Sequence, residues 1–328
     1  MTSPWVRALA VVGGATLLYA VYVALDFFAL HFIKPLRPLN SYKRKGPDPT
    51  YALITGASAG IGLGIAQELV KQGFGVILLG HLAYELAQAR QALQKATPRA
   101  SVRILVMDVR TATPTDMAVA VKSFDELHVS ILVNNVGGCP IELPPMREMA
   151  TYSCADVDAV INMNARFMAR LTTLMLPILS RRPANPGERS LIINSSSAAH
   201  CGVPWLTMYG ATKAFNLAFS RGLARELEAS FASSHVDCLA IAPGDVLSQG
   251  NSRGVARGAP TWDDYGRCVV QTVDGAVQRK MRDVSPYWVH DIENRILPWL
   301  DEGTRTTEIS KAIAKKKNAW DAYLSKAR

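Results

Sequence analysis

Apolar residues crowd the first thirty positions of the chain, and from residue 51 onward they recur as short solid runs separated by longer amphipathic stretches. The first block, Ala8 to Leu25, carries no charge, and beyond Asp26 it resumes through Phe27, Phe28, Ala29 and Leu30. A helix needs about 20 mostly apolar residues to cross a bilayer, whereas the core of a cleaved signal needs roughly 7 to 15. Residues 1–33 are therefore expected to form a membrane-anchor helix. It either spans the bilayer or lies in the headgroup layer, and the charged face that a surface helix needs is missing from it.

The later runs predict strands at Tyr51 to Ile54, Val76 to Leu79, Val102 to Met107, Ile131 to Val133, Leu191 to Ile193 and Val236 to Ile241. Solid apolar strands alternating with helical patterns mean a parallel sheet covered on both faces. The expected fold is α/β, a doubly wound parallel sheet whose ligand crevice lies at the carboxyl ends of the strands. Residues 34–49, rich in Pro, Lys and Arg, read as a basic linker. Residues 50–328 read as one catalytic domain with a helical, basic C-terminal tail.

The chain carries 36 Lys and Arg against 27 Asp and Glu, a net charge of +9. The excess clusters in two places, after the anchor (Lys34, Arg37, Lys43, Arg44, Lys45) and in the tail (Lys311, Lys315, Lys316, Lys317, Lys326, Arg328). No nucleic-acid-binding motif accompanies these clusters, so attraction to anionic lipid is expected and nucleic acid is not. By the positive-inside rule, the basic flank keeps the catalytic part cytoplasmic. Five scattered cysteines form no CxxC pair and six histidines show no ligand spacing, so neither a disulfide framework nor a metal site is expected.

The first strand runs into Thr55-Gly56-Ala57-Ser58-Ala59-Gly60-Ile61-Gly62, and a helical pattern from Leu63 to Gln72 follows at once. In that position Gly56, Ser58, Gly60, Ile61 and Gly62 form a loop whose backbone N–H groups approach a pyrophosphate at a helix N-terminus. This makes the sheet Rossmann-type. About 20 residues on, an acid would select NAD, whereas Gly80-His81 offers none, so NADP is expected in preference to NAD, with His81 beside its 2′-phosphate.

Tyr209 and Lys213 stand four apart in a helical stretch, on one face. An ordinary phenol has a pKa near 10, and a neighbouring ammonium favouring phenolate would bring it toward neutrality. Tyr209 is thus the candidate proton-transfer group. Upstream, Asn194-Ser195-Ser196-Ser197 closes the fifth strand, where Ser196 is placed to donate to a carbonyl oxygen as charge builds on it.

Taken in order, TGASAGIG, Asp108, Asn134 to Gly137 (NNVG), Asn164, Ser196, Tyr209-x-x-x-Lys213 and Pro243-Gly244 resemble the short-chain dehydrogenase/reductase family over about Tyr51 to Arg282. The resemblance implies Tyr209 as general acid in reduction, Lys213 holding the nicotinamide ribose, Ser196 orienting the carbonyl and Asn164 relaying protons. It also implies that Asp108 meets the adenine, Asn134 the adenosine side, and Val246 and Ser248 the nicotinamide amide. The anchor, NNVG and Ser285-Pro286-Tyr287-Trp288 resemble the membrane-bound branch of very-long-chain 3-oxoacyl-CoA reductases and 17β-hydroxysteroid dehydrogenases. That branch implies a lipophilic substrate and the endoplasmic reticulum. His81 departs from the Arg carried there.

Substrate shape is expected to come from Cys139 to Met146, His200 to Met208 and Leu247 to Trp262, the last read as a mobile lid. Expected partners are a lipophilic small molecule and membrane lipid, and a homo-oligomer is compatible with such a fold. The reading from a different class is a catalytically silent nucleotide-binding membrane scaffold.

Overall fold

Three six-residue strands, β1 (Thr50–Thr55), β2 (Gly75–Gly80) and, later, β5 (Ser190–Ser195), are buried at every position, which is why they read as solid apolar runs. The computed structural model describes residues 3–35, 39–140 and 144–327. With β3 (Val102–Val106), β4 (His128–Asn134), β6 (Val236–Ile241) and β7 (Asp283–Val284) these strands form one parallel sheet in the order β3-β2-β1-β4-β5-β6-β7. The direction of progression reverses between β1 and β4, the point where such sheets bind ligands. Six strands match the sequence expectation. β7, with two residues, is too short to leave a pattern.

The helices are α1 (Pro4–Phe32), α2 (Gly60–Lys71), α3 (Ala83–Ala96), α4 (Pro114–Lys122), α5 (Cys154–Ile161), α6 (Phe167–Leu179), α7 (Thr207–Ala229), α8 (Trp262–Gln278), α9 (Trp288–Ile296) and α10 (Glu302–Ala327). Alternate strand residues such as Leu53, Leu79, Leu132 and Ile192 pack with Met117 of α4, Leu171 and Met175 of α6 and Leu223 of α7. That period of two assigns one sheet face to α4, α6 and α7. α2 and α8 pack together with almost no side chain between them: a Cβ on Gly266 would stand 2.6 Å from the Ile65 nitrogen. Small residues here let two helix backbones approach closely.

The chain divides into residues 1–36 and residues 37–328. The first unit is α1, 29 residues or about 43 Å at 1.5 Å per residue. It is the one described helix long and apolar enough to cross a membrane.

The second unit begins well before residue 50. Leu39 and Tyr42 are 0% and 1% exposed, Tyr42 donates its hydroxyl to Asp237 (2.9 Å), and Ser130 donates to the Tyr42 carbonyl. Arg44 donates to the Arg189 carbonyl and Ser190 Oγ at 3.0 and 2.8 Å, and Lys43 reaches the Gln72 carbonyl and the Phe74 ring. Residues 39–45 are thus part of the catalytic unit, and Lys43 and Arg44 satisfy the N-terminal edge of the sheet instead of standing free for lipid. Arg37 lies outside the described residues.

A consequence is measurable. Tyr42→Ala is expected to cost about 3–5 kcal/mol, the usual range for emptying a buried aromatic site. Equilibrium urea unfolding in detergent checks this; a free linker would show no change.

Candidate active site

The turn from β1 into α2 is made by residues that only glycine suits. Gly56 and Gly60 have φ of +64° and +58°, and a Cβ on Gly62 would stand 2.7 Å from Asn135 Nδ2. Ala59 caps α2 without a side-chain hydrogen bond, leaving the first N–H groups of the helix for an anion. Asn135 Nδ2 donates to the carbonyls of Thr55 and Gly56, and Thr55 Oγ1 accepts from the N–H groups of Asn135 and Val136. The loop is thereby fixed against the end of β4, across the switch point, and a pyrophosphate fits the donors it presents.

The first Asn of NNVG has a different place. Asn134 is buried in the sheet and donates to Thr172 Oγ1 (2.9 Å) and Asn194 Oδ1 (2.8 Å), so it ties β4 to β5 and α6 instead of facing an adenosine. Asp108 stands beyond β3, its carboxylate gripped by Arg110 at 2.9 and 2.6 Å. That hydrogen bond holds it down to about 2. His81 is exposed at the end of β2, close enough for its charge to act on Asp108.

Just past Asn135, a Cβ on Gly137 would stand 2.7 Å from Asn164 Oδ1 and 2.8 Å from Lys213 Nζ. The missing side chain lets the amide and the ammonium meet there. Asn164 is fixed by accepting from Gly138 N (2.9 Å) and donating to the carbonyls of Gly138 and Val160 (2.7 and 2.9 Å). It lies in a π-helical turn, residues 162–166, between α5 and α6; such widened turns recur at functional sites. Lys213, 2% exposed, donates to the Ser195 carbonyl (3.3 Å) and lies 5.4 Å from the Tyr209 ring centroid.

Ser196 is 1% exposed, and its hydroxyl donates to the Lys213 carbonyl at 2.7 Å. Side chains alternate along a strand, and Asn194, two residues earlier, likewise reaches α7 through Ser220. The next residue, Ser197, accepts from Ala199 N and caps the turn at Ala198–Cys201, and it lies close enough to Tyr209 to act on its phenol. Cys139, which the sequence reading placed only in a substrate loop, lies within electrostatic reach of Tyr209 and Lys213, and burial pushes its thiol up to about 11. Residues 141–143 of that loop lie outside the described residues.

The sequence that builds this sheet, its glycine loop and the site beside it matches the short chain dehydrogenase family model over residues 50–256. The chain belongs to the short-chain dehydrogenase family. A very-long-chain 3-oxoacyl-CoA reductase of Pyricularia oryzae is 26% identical over 303 residues, 90% of this chain and 85% of that protein. One of Phaeosphaeria nodorum is 30% identical over 267 residues, 80% of this chain and 74% of that protein. Among solved structures, a short chain dehydrogenase from Shigella flexneri 2a complexed with NADP aligns with TM-score 0.62 at 20% identity, over 72% of this chain and 95% of that one. A bulky-bulky ketone specific alcohol dehydrogenase from Comamonas testosteroni aligns with TM-score 0.57 at 20% identity, over 78% and 96%.

In this short-chain dehydrogenase the segment after β6 carries hydrogen bonds and ring contacts of its own. Leu247 N donates to Pro260 O (2.9 Å), Asn251 donates to Asp245 and to the Val246 carbonyl, and Arg253 stacks on Tyr323 and Trp320 of α10. Ser248 lies against Gly60, bringing this segment to the glycine loop. On the other side, Trp205 adopts a left-handed φ of +60°, with its carbonyl accepting from Arg147 N. A 290 Å³ cavity opens between Cys201, Gly202 and Pro204 and the residues Arg305, Thr306 and Ile309 of α10. Three of the tail lysines make ion pairs, Lys311 with Glu308, Lys316 with Asp245 and Lys317 with Asp321.

Burial pushes the Tyr209 phenol up to about 12 and the Lys213 ammonium down to about 8. Lys213 donates to the Ser195 carbonyl, and at Tyr209 burial outweighs the lowering influence of Ser197. A lysine whose folded value lies below its ordinary 10.4 opposes folding when charged. The penalty is absent above about pH 10.5, grows as pH falls to about 8, and reaches an upper bound of about 3 kcal/mol. Lys213→Met is therefore expected to raise the cofactor-free melting temperature at pH 7 and to lose that advantage near pH 10, measured by calorimetry at both pH values.

Proposed function

We propose that the chain is a membrane-anchored, NADPH-dependent reductase that converts the ketone of a lipophilic substrate, foremost a long-chain 3-oxoacyl thioester, to a secondary alcohol. The observation that carries this reading is the convergence of Asn164, Lys213, Tyr209 and Ser197 beside the glycine loop. The names of the relatives favour the acyl thioester and the endoplasmic reticulum membrane. The cavity between Cys201 to Pro204 and α10, in the segment that leads from Ser197 to Tyr209, is the candidate space for the substrate's chain.

Gly56, Gly60 and the start of α2 would hold the pyrophosphate, Asp108 and His81 the adenosine end, and Lys213, Val246 and Ser248 the nicotinamide end. When bound, the reduced nicotinamide supplies the hydride. The protein supplies the rest. A phenol held near 12 keeps its proton at neutral pH and can give it to the carbonyl oxygen as negative charge develops there. Ser197 donates to that same oxygen and afterwards to the phenolate. Asn164, anchored on Gly138 and next to Lys213, stands where a proton returns toward Tyr209. A retired scaffold has no physical need to keep four such groups converged.

NADPH consumption with a panel of 3-oxoacyl thioesters and bulky ketones tests the reading. We expect Tyr209→Phe to lower kcat about 10³-fold with cofactor binding retained. Ser197→Ala should cost about 10²-fold and Ser196→Ala less than about tenfold. Unchanged turnover in Tyr209→Phe overturns the mechanism, and the opposite order of the serines overturns the assignment of Ser197.

α1 gives the membrane part its own test. The full chain is expected to remain in the membrane pellet through alkaline carbonate washing, and removal of residues 1–33 to release it; a full chain that washes off is not spanning.

A further inference from the structure

The turn that follows β6, residues 243–251, is held from outside the segment that matches the family model. His290 of α9 is 4% exposed and accepts from the Gly244 N–H through Nδ1 at 3.2 Å. Its ring lies so close to the Gly244 backbone that a Cβ there would stand 2.6 Å from Cδ2. Tyr287 meets the same ring edge-on at 5.0 Å and Tyr265 at 5.9 Å, so packing fixes its orientation. Burial pushes the imidazole down to about 4, against a backbone hydrogen bond and the charge of Asp245, so at neutral pH the ring keeps a lone pair for Gly244.

The next residue is gripped from the other side. Asp245 Oδ1 accepts from Lys316 Nζ of α10 (2.6 Å) and from Asn251 Nδ2 (2.7 Å), and its Oδ2 accepts from Ala256 N (2.7 Å). Lys316 also donates to Asn251 Oδ1 at 2.8 Å. Val246, immediately after, is 3% exposed, and Ser248 stands beside Gly60. Two C-terminal helices thus fix the backbone from which Val246 and Ser248 project.

We infer that His290 and Lys316 are positioning residues for the nicotinamide half of the cofactor, acting through Gly244 and Asp245 on the 246–248 backbone. The inference rests on the cofactor placement proposed above. It accounts for a buried neutral histidine with its acceptor on a loop N–H, and for a tail lysine spent on a single carboxylate instead of on solvent.

The test compares two ligands by calorimetric titration, NADPH and adenosine 2′,5′-bisphosphate, which carries only the adenosine end. Thermal unfolding of the cofactor-free chain is measured alongside. His290→Phe keeps a ring and removes the acceptor; we expect the Kd for NADPH to rise about tenfold, the worth of one such hydrogen bond, with the fragment unchanged. His290→Asn, which restores an acceptor, is expected to stay within about threefold of wild type, and Lys316→Met to weaken NADPH about three- to fivefold. A purely structural role would lower the melting temperature and either leave both ligands unaffected or weaken them alike; that result overturns the inference. If His290→Phe does not fold, Lys316→Met decides alone, and an unchanged NADPH Kd overturns the proposal. Failure of the wild-type chain to bind NADPH would instead overturn the cofactor assignment beneath it.

Discussion

The place where a side chain at residue 137 would stand is occupied by the Lys213 ammonium and the Asn164 amide. Much of the site follows from that exclusion. A buried ammonium needs acceptors, and here it takes the Ser195 carbonyl at the end of β5, which also accepts from Asn216. Holding Lys213 there sets the register of α7 on the sheet, and one helical turn earlier the same face carries Tyr209. The widened turn at 162–166 brings Asn164 to Gly138 from the opposite side. Three separate elements converge on the absence of one Cβ.

Burial then divides the protonation roles. The same low-polarity surroundings favour the neutral form of each group, so the phenol rises to about 12 while the ammonium falls to about 8. A phenol in that state is a proton donor waiting for an acceptor whose basicity grows during the reaction, and a carbonyl oxygen receiving hydride is such an acceptor.

The sheet was plainly legible in the chain because its strands are buried on both faces, and Val236–Ile241 was recovered to the residue. The glycine loop, Tyr209 and Lys213 are legible because strand-end position and helical spacing bring them to the crevice, whereas Asn164 enters only through the family resemblance. Three consecutive serines look alike in composition, and the fold separates them: Asn194 and Ser196 reach α7, and Ser197 caps the next turn near Tyr209. The two asparagines of NNVG divide in the same way, Asn134 into the sheet and Asn135 to the loop. The basic linker misled for another reason: Tyr42 and Arg44 find partners at Asp237 and Ser190, nearly 150 or more residues away, and no local pattern announces such contacts.

Those long-range contacts share a logic with the C-terminal helices. Residues 39–45 secure the edge of the sheet where strands begin, and α9 and α10 secure the edge where they end; both lie outside the span that defines the family. The central sheet supplies a crevice, but its carboxyl edge is made of turns, and turns hold a geometry only when something packs behind them. Here a histidine ring behind Gly244 and a lysine behind Asp245 do so on one side, while the strained Trp205 backbone, tied to Arg147, shapes the other. Proton chemistry is therefore written in the shared core of the fold, and the turn after β6 is braced by helices appended to that core.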